Sequence, residues 1–301
     1  MEDILITESS APKTRILVAG TIRNVGKTIC DELMRIDKMF SQIFDCDYFL
    51  VESDSCDDST DSLERLKALI PNFDFLSLGK LELIITNKYD RLAFCRNKYL
   101  DYFNSRMDFR EYELLIVIDL DGINNSINIE NIKSCLSIPF EWIALFPNQR
   151  DHYYDIFALR AKNWLQVNCW AYETYLREIG LSSIKARRVA ILDHQRKIPD
   201  SNPPIKVESA FGGLGIYKAE AIRAAKYAGK DNLGCSVCEH VPFNLSISSM
   251  HDGMYIIPKF INSIKNTHNN GHTLFMKFKL YFKYALTIIY PPLKNRYFPL
   301  F

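Results

Sequence analysis

Short apolar runs broken by polar turns dominate the first half of the chain. Arg15-Ile-Leu-Val-Ala-Gly20 is one such run, ends in glycine, and reads as a buried first strand. Ile29, Leu33, Ile36 and Phe40 then recur at helical spacing within residues 27–44. Further apolar runs occupy residues 47–52, 73–78 and 113–119, the last made almost wholly of Leu, Ile and Val. Helical patterns separate them at 62–69 and 91–103. The first of these is preceded by Ser59, Thr60 and Asp61, residues suited to capping a helix N-terminus. Strands that are apolar throughout and alternate with helices imply a sheet covered on both faces. The expected fold is therefore α/β, a doubly wound and mostly parallel sheet.

The second half is less regular. Residues 158–176 are rich in aromatics and fit strand and helix equally well. Phe211-Gly-Gly-Leu-Gly-Ile-Tyr217 leads into a helical pattern at 218–228, and 255–258 reads as a short last strand. From Thr273 to Tyr290 the pattern is helical, aromatic and basic, and Pro291-Pro292 stops it. The expected organisation is one domain over 1–265, with a nucleotide half at 14–145 and a less regular half at 146–265. A tail at 266–301 would carry a C-terminal amphipathic helix.

Composition narrows the class only slightly: with 48% apolar and 24% charged residues, the chain reads as an ordinary globular protein. Its net charge of +1 hides an asymmetry. No acid follows Asp252, whereas Lys259, Lys265, Lys277, Lys279, Lys283, Lys294 and Arg296 do. A basic aromatic helix fits an anionic membrane surface, and equally a helix docked on its own core. Nucleic acid is not expected as a partner. Met1 to Ser10 carries acids rather than a basic-then-apolar leader, and no apolar run reaches spanning length. The eight cysteines are mostly scattered through apolar segments, as in a reducing compartment. The expected location is cytoplasmic, peripheral on the inner face of the membrane. Cys235, Cys238 and His240 have zinc-like spacing at one end only, with no second ligand pair nearby.

Such sheets bind ligands beyond the carboxyl ends of their strands, so the polar residues there are the first candidates. Val117-Ile-Asp-Leu-Asp-Gly122 sets two carboxylates, Asp119 and Asp121, just past a buried strand. Paired there, they can face one hard cation, Mn2+ or Mg2+, that bridges to substrate phosphates. An Asx turn closing the strand competes with that reading. Gly20-Thr-Ile-Arg-Asn-Val-Gly-Lys-Thr28 ends like a phosphate-binding loop, but five residues rather than four separate its glycines. It is read instead as a polar first loop meeting a nucleotide through Thr21 and Arg23. Arg91 and Arg96 lie on one predicted helix, and guanidinium groups bind phosphate oxygens in pairs. Glu52 closes the second strand, where it could hydrogen-bond a base or ribose. Gly212 and Gly213 would let a backbone approach a ligand closely. Glu239 and His240 are the acid/base candidates of the second half.

Taken in order, these pieces resemble a known family. Ala19-Gly-Thr-Ile-Arg-Asn24, Glu52-Ser-Asp-Ser55, Arg91 to Asn97 and Asp119-Leu-Asp121 come first. Gly212-Gly-Leu-Gly-Ile-Tyr217, Cys238-Glu-His-Val241 and Ile256-Ile-Pro258 follow. The series is similar to GT-A glycosyltransferases, and most closely to the fungal capsule-associated α-1,3-mannosyltransferase family and its bacterial relatives, over about 14–262.

That resemblance implies a GT-A fold and transfer of a hexose from a nucleoside-diphosphate sugar to a glycan or lipid-linked acceptor. It implies that Asp119 and Asp121 form the DxD motif holding Mn2+ or Mg2+, with His240 joining the metal or the catalysis. Thr21, Arg23, Glu52 and Arg91 fall where such enzymes contact the nucleotide-sugar, and Arg96 shares the helix of Arg91. Gly212 and Gly213 would lie under the donor sugar and acceptor, and Glu239 near an inverting member's base. The α-mannosyltransferase likeness implies retention, whereas a Glu239 base implies inversion; both stay open. The competing classes are a P-loop-like nucleotide hydrolase or kinase, and a non-catalytic nucleotide- or carbohydrate-binding module.

Overall fold

A computed structural model of the chain describes residues 12–110 and 112–264. The expected C-terminal helix and tail lie outside the described residues. Eight strands form one sheet. In chain order they are β1 (Thr14–Ile22), β2 (Phe44–Glu52), β3 (Phe73–Ser77), β4 (Leu114–Ile118), β5 (Ala144–Gln149), β6 (Ile205–Lys206), β7 (Leu214–Lys218) and β8 (Met254–Ser263). The helices are α1 (Ile29–Phe40), α2 (Ser59–Leu69), α3 (Lys88–Arg110), α4 (Ile129–Leu136), α5 (Cys169–Glu178), α6 (Ser183–Ala190), α7 (Ala219–Ile222) and α8 (His240–Ser248).

The spatial order is β3-β2-β1-β4-β7-β5-β8-β6. β1 pairs in parallel with β2 and β4, β2 with β3, and β5 with β8. β7 runs antiparallel between β4 and β5, and β6 is an antiparallel edge. β1 shows why the apolar runs are continuous. Ile16 and Val18 pack with α1, α2 and α4 on one face, while Leu17 and Ala19 pack with α3 and α8 on the other. A strand buried on both faces needs no polar alternation. β1 and β2 also finish together, Ile22 opposite Glu52, so their following loops emerge at one edge.

The two sequence halves are not separate bodies, since β7 returns from the second half to sit beside β4, with Ile118 opposite Leu214. Residues 158–168 form no strand or helix beyond two isolated bridges, and α5 begins only after Asn168, whose Oδ1 accepts from the N–H groups of Trp170 and Ala171. The helix expected over 218–228 is the single turn of α7. β8 is longer than the expected 255–258 run. Its register against β5 shifts across Pro258, which cannot donate to a ladder, and the Pro258 carbonyl accepts from Asn148 instead.

Candidate active site

The crevice lies beyond the carboxyl end of β4, beside the antiparallel β7. Asp119 is the first residue past β4, and its N–H donates to the Gly213 carbonyl at 2.9 Å. The loop it opens is held from several sides. Gly122 N–H donates to Glu32 of α1 at 3.2 Å, Arg35 donates to the Asn124 carbonyl at 2.9 Å, and Asn124 Nδ2 donates to the Asp119 carbonyl at 2.8 Å. Leu120 between the two acids is buried, which leaves Asp119 facing the crevice and Asp121 exposed at its mouth.

Opposite Asp119 stands Arg96 of α3. Its Nε donates to Glu239 Oε1 at 2.8 Å, and one terminal nitrogen lies 3.4 Å from Asp119 Oδ1. The guanidinium also lies 5.3 Å from the ring centre of Phe211 and 5.8 Å from that of Tyr227. Asp155 approaches from the irregular segment after β5, accepting from Gly212 N–H at 2.9 Å and Ala158 N–H at 3.3 Å.

Although 29% of the Asp119 side chain is accessible, desolvation pushes its carboxyl up to about 7. Arg96 opposes that rise, while Asp121, Glu239 and Asp155 reinforce it. Asp119 thus feels three further acids, with Arg96 as the opposing cation. Glu32 behind the loop is likewise pushed up, chiefly by burial.

Gly212 and Gly213 form the turn into β7, with φ of +68° and +91°. A Cβ on Gly213 would lie 2.6 Å from Ile123 Cγ2, and one on Gly212 would lie 3.0 Å from Gln149 Nε2. Conformation and space therefore both call for glycine, and the turn is pressed directly against the acidic loop.

The other expected site residues fare differently. His240 is enclosed by aromatic rings. The first residue of α8, it is 2% exposed, stacks on Phe211 at 3.7 Å between ring centres, and meets Tyr227 edge-on. Neither ring nitrogen has a hydrogen-bond partner, and Glu239 Oε1 lies 3.8 Å from Nε2. Burial, and then Arg96, push its pKa well below the usual value, so the ring is neutral. Among the described residues no three His, Cys, Asp or Glu side chains converge to hold a metal. The trio Asp119, Asp121 and His240 is not assembled, and the Cys235, Cys238 and His240 zinc site is not formed. Glu239 pairs with Arg96 at 2.8 Å.

Arg91 donates to the carbonyls of Ile85 and Thr86 at 2.7 and 2.9 Å and pairs with Asp54 at 3.6 Å. Arg23 pairs with Glu82 at 3.1 Å on the surface. Glu52 is buried and accepts from Ser55 N–H and the Ser77 hydroxyl. Thr21 is half-buried near the end of β1. In the first loop, the N–H groups of Asn24, Val25 and Gly26 donate to Ser55 Oγ, Ser59 Oγ and Asp57 Oδ2. The amides a phosphate-binding loop would aim at its ligand are satisfied by the chain itself.

Asp155 escaped the sequence reading because it sits in a segment without periodicity. Three buried amides, Asn124, Gln149 and Asn262, escaped it too. Polar residues closing the apolar β5, Asn148-Gln149, were the available signal.

No protein-family model matches the chain, and no curated protein matches it by sequence. Solved structures with a similar course of chain include the mannosyltransferase PcManGT from Pyrobaculum calidifontis in complex with GDP-Man and Mn2+, at 14% identity and TM-score 0.45, covering 84% of this chain and 58% of that one. S. aureus TarS 1-349 in complex with UDP is similar at 12% identity and TM-score 0.48, covering 86% and 63%. Glucosyl-3-phosphoglycerate synthase from Mycobacterium tuberculosis with Mn2+, UDP and phosphoglyceric acid is similar at 12% identity and TM-score 0.44, covering 84% and 70%. The chain thus spans about three-fifths of the length of the first two of these structures. Among the described residues the structure is mixed α/β, with six of eight strands running in one direction and acids gathered just past β4.

Proposed function

We propose that the chain is a metal-dependent glycosyltransferase that moves a hexose from a nucleoside-diphosphate sugar to a hydroxyl of a glycan or glycolipid, in surface polysaccharide synthesis. The observation that carries this reading is the placement of two carboxylates just past β4, with Arg96 3.4 Å from Asp119. Asp119 and Asp121 follow β4 where such sheets receive ligands, and Asp119 is pushed to about 7 because desolvation and three further acids outweigh Arg96. A site built that way favours added positive charge.

Its donors are carboxylate oxygens, which suit Mn2+ or Mg2+, and two protein ligands leave places for water and diphosphate oxygens. Asp119 and Asp121 would hold the ion, which when bound neutralises charge on the departing diphosphate. The chain's own groups supply orientation. Arg96 holds the Asp119 and Glu239 carboxylates on either side of itself, and the aromatic walls fix Arg96. The turn at Gly212 and Gly213, packed against Ile123 and Gln149, holds the far side of the acidic loop in place. The loops after β1 and β2, with Thr21, Arg23 and Glu52, border the nucleotide side, and Asp155 borders the acceptor side. A hydrolase or kinase reading is disfavoured, because the first loop's amides are already bonded within the chain.

Thermal-shift measurements with UDP- and GDP-sugars, with and without Mn2+, test the reading. Stabilisation of about 3 kcal/mol at a hundredfold excess over the dissociation constant is expected only with both components. Stabilisation by a nucleoside triphosphate, with hydrolysis and no sugar transfer, would overturn it. The basic aromatic stretch at 273–290 is proposed to bring the enzyme to an anionic membrane bearing the acceptor, in a cytoplasmic, peripheral location. A chain ending at Asn270 that sediments with anionic liposomes as fully as the 301-residue chain would refute that part.

A further inference from the structure

Three amide side chains from three distant parts of the sequence meet, fully buried, behind the acidic loop. Gln149 ends β5, Asn262 lies near the end of β8, and Asn124 closes the loop that Asp119 opens. Their hydrogen bonds run in one direction. Gln149 Nε2 donates to Asn262 Oδ1 at 2.9 Å and to the Gly212 carbonyl at 3.2 Å. Asn262 Nδ2 donates to Asn124 Oδ1 and to the Gly212 carbonyl, both at 2.8 Å. Asn124 Nδ2 then donates to the carbonyls of Asp119 at 2.8 Å and Gly213 at 2.9 Å. The Asn262 carbonyl accepts from Ser126 N–H at 3.0 Å, tying the far end of the same loop.

Every terminal acceptor of this chain of donors is a backbone carbonyl of the acidic loop or of the glycine turn. A primary amide can give two donors while accepting at its oxygen, so each residue both receives its orientation and passes it on. In a dry interior such a chain is worth keeping only when complete, because one missing member leaves buried partners unsatisfied. Apolar residues at all three positions would fill the same space without a network to keep complete. The arrangement therefore makes sense for placement rather than for bulk.

We infer that Gln149, Asn262 and Asn124 are positioning residues that fix the Asp119–Asp121 loop and the Gly212–Gly213 turn relative to each other, so that the two sides of the crevice bind metal-diphosphate as one unit. This rests on the proposed reading of Asp119 and Asp121 as the metal-diphosphate site. The amides touch no reacting group; they act through the backbone of the residues that do. Outer partners of this kind typically change metal affinity by about 10- to 100-fold when removed.

Mn2+ binding in the presence of UDP or GDP, followed by the electron paramagnetic resonance of free Mn2+, tests the inference without needing turnover. The wild-type chain is compared with Asn262→Leu, Asn124→Ala and the double variant, each checked by circular dichroism well below its melting temperature. Weakening by about tenfold or more in each single variant is expected, with the double variant no worse than the worse single one, because both interrupt one chain. Gln149→Met removes the first donor and the acceptor of Tyr154 N–H, keeps the volume, and serves where Asn262→Leu does not fold; it should weaken binding by a smaller factor. Variants that melt earlier yet bind Mn2+ and nucleotide as tightly as wild type would show that the amides only stabilise the fold, and would overturn the inference. A wild-type chain that forms no Mn2+-nucleotide complex would instead overturn the proposed function, and the inference with it.

Discussion

Arg91 and Arg96 stand five residues apart on α3, and they anchor two regions of opposite character. Arg91 serves the loops after β2 and β3. It meets two carbonyls and Asp54, and Asp54 in turn accepts from Glu82 N–H, while Glu82 pairs with Arg23. In that region donors and acceptors largely answer one another. Arg96 serves the crevice, where it lies between Glu239 and Asp119 with Asp121 and Asp155 also felt. There the acids outnumber it. The same side chain in one helix thus closes a scaffold at one end and faces a group of acids at the other. Perturbed acids gathered around one cation make a candidate site.

The largest effect should come from removing the buried cation. Arg96→Met leaves Glu239, 4% exposed, without its partner and should cost about 3–5 kcal/mol in urea unfolding at neutral pH. Arg91→Met removes hydrogen bonds that are only partly buried and should cost about 1–2 kcal/mol. Equal losses in the two variants would break the contrast between a scaffold and a site.

Next in size is the acid itself. Asp119→Asn should lower sugar transfer by about 10²–10³-fold with the fold intact, as measured by transfer rate and circular dichroism. The same variant carries a pH signature. The folded chain holds the Asp119 proton to about pH 7, whereas the unfolded chain releases it near about 3.9. Between those values the folded state binds more protons, so this group's contribution to stability falls as pH rises from about 4 to 7 and levels off above. Melting temperatures over that range should fall less steeply for Asp119→Asn. An unchanged slope would mean that Asp119 is not the group that holds its proton to about pH 7.

The smallest effect is expected at Lys27. This exposed residue follows a loop whose amides are already bonded to Ser55, Ser59 and Asp57. Lys27→Ala should change transfer by less than about twofold, within the range of an ordinary surface substitution. A thousandfold loss in the folded variant would make the first loop a phosphate site and reverse the assignment of the two regions.

Legibility in the sequence followed the range of the interactions. β1 and β4 could be read directly because both of their faces are buried, and α1 because its apolar stripe repeats at helical spacing. The position of Asp119 and Asp121 followed from the end of β4. The partners of the site residues could not be read. Arg96 meets Glu239, 143 residues away. His240 lies against Phe211 and Tyr227, neither near it in the sequence. Asn124 and Asn262, 138 residues apart, carry no local pattern at all.

By itself the sequence determined the alternation of buried strands and covering helices, the carboxyl edge where polar loops gather, and the acid pair at that edge. These follow from burial and periodicity, which act between near neighbours along the chain. Only the tertiary structure decided that β7 runs back between β4 and β5, because strand order depends on which edge a distant segment can reach. It also decided which acids face one cation, which histidine is sealed in an aromatic stack, and which amides brace the loop. Those outcomes depend on charge, desolvation and hydrogen bonding between side chains that become neighbours only when the sheet closes around them.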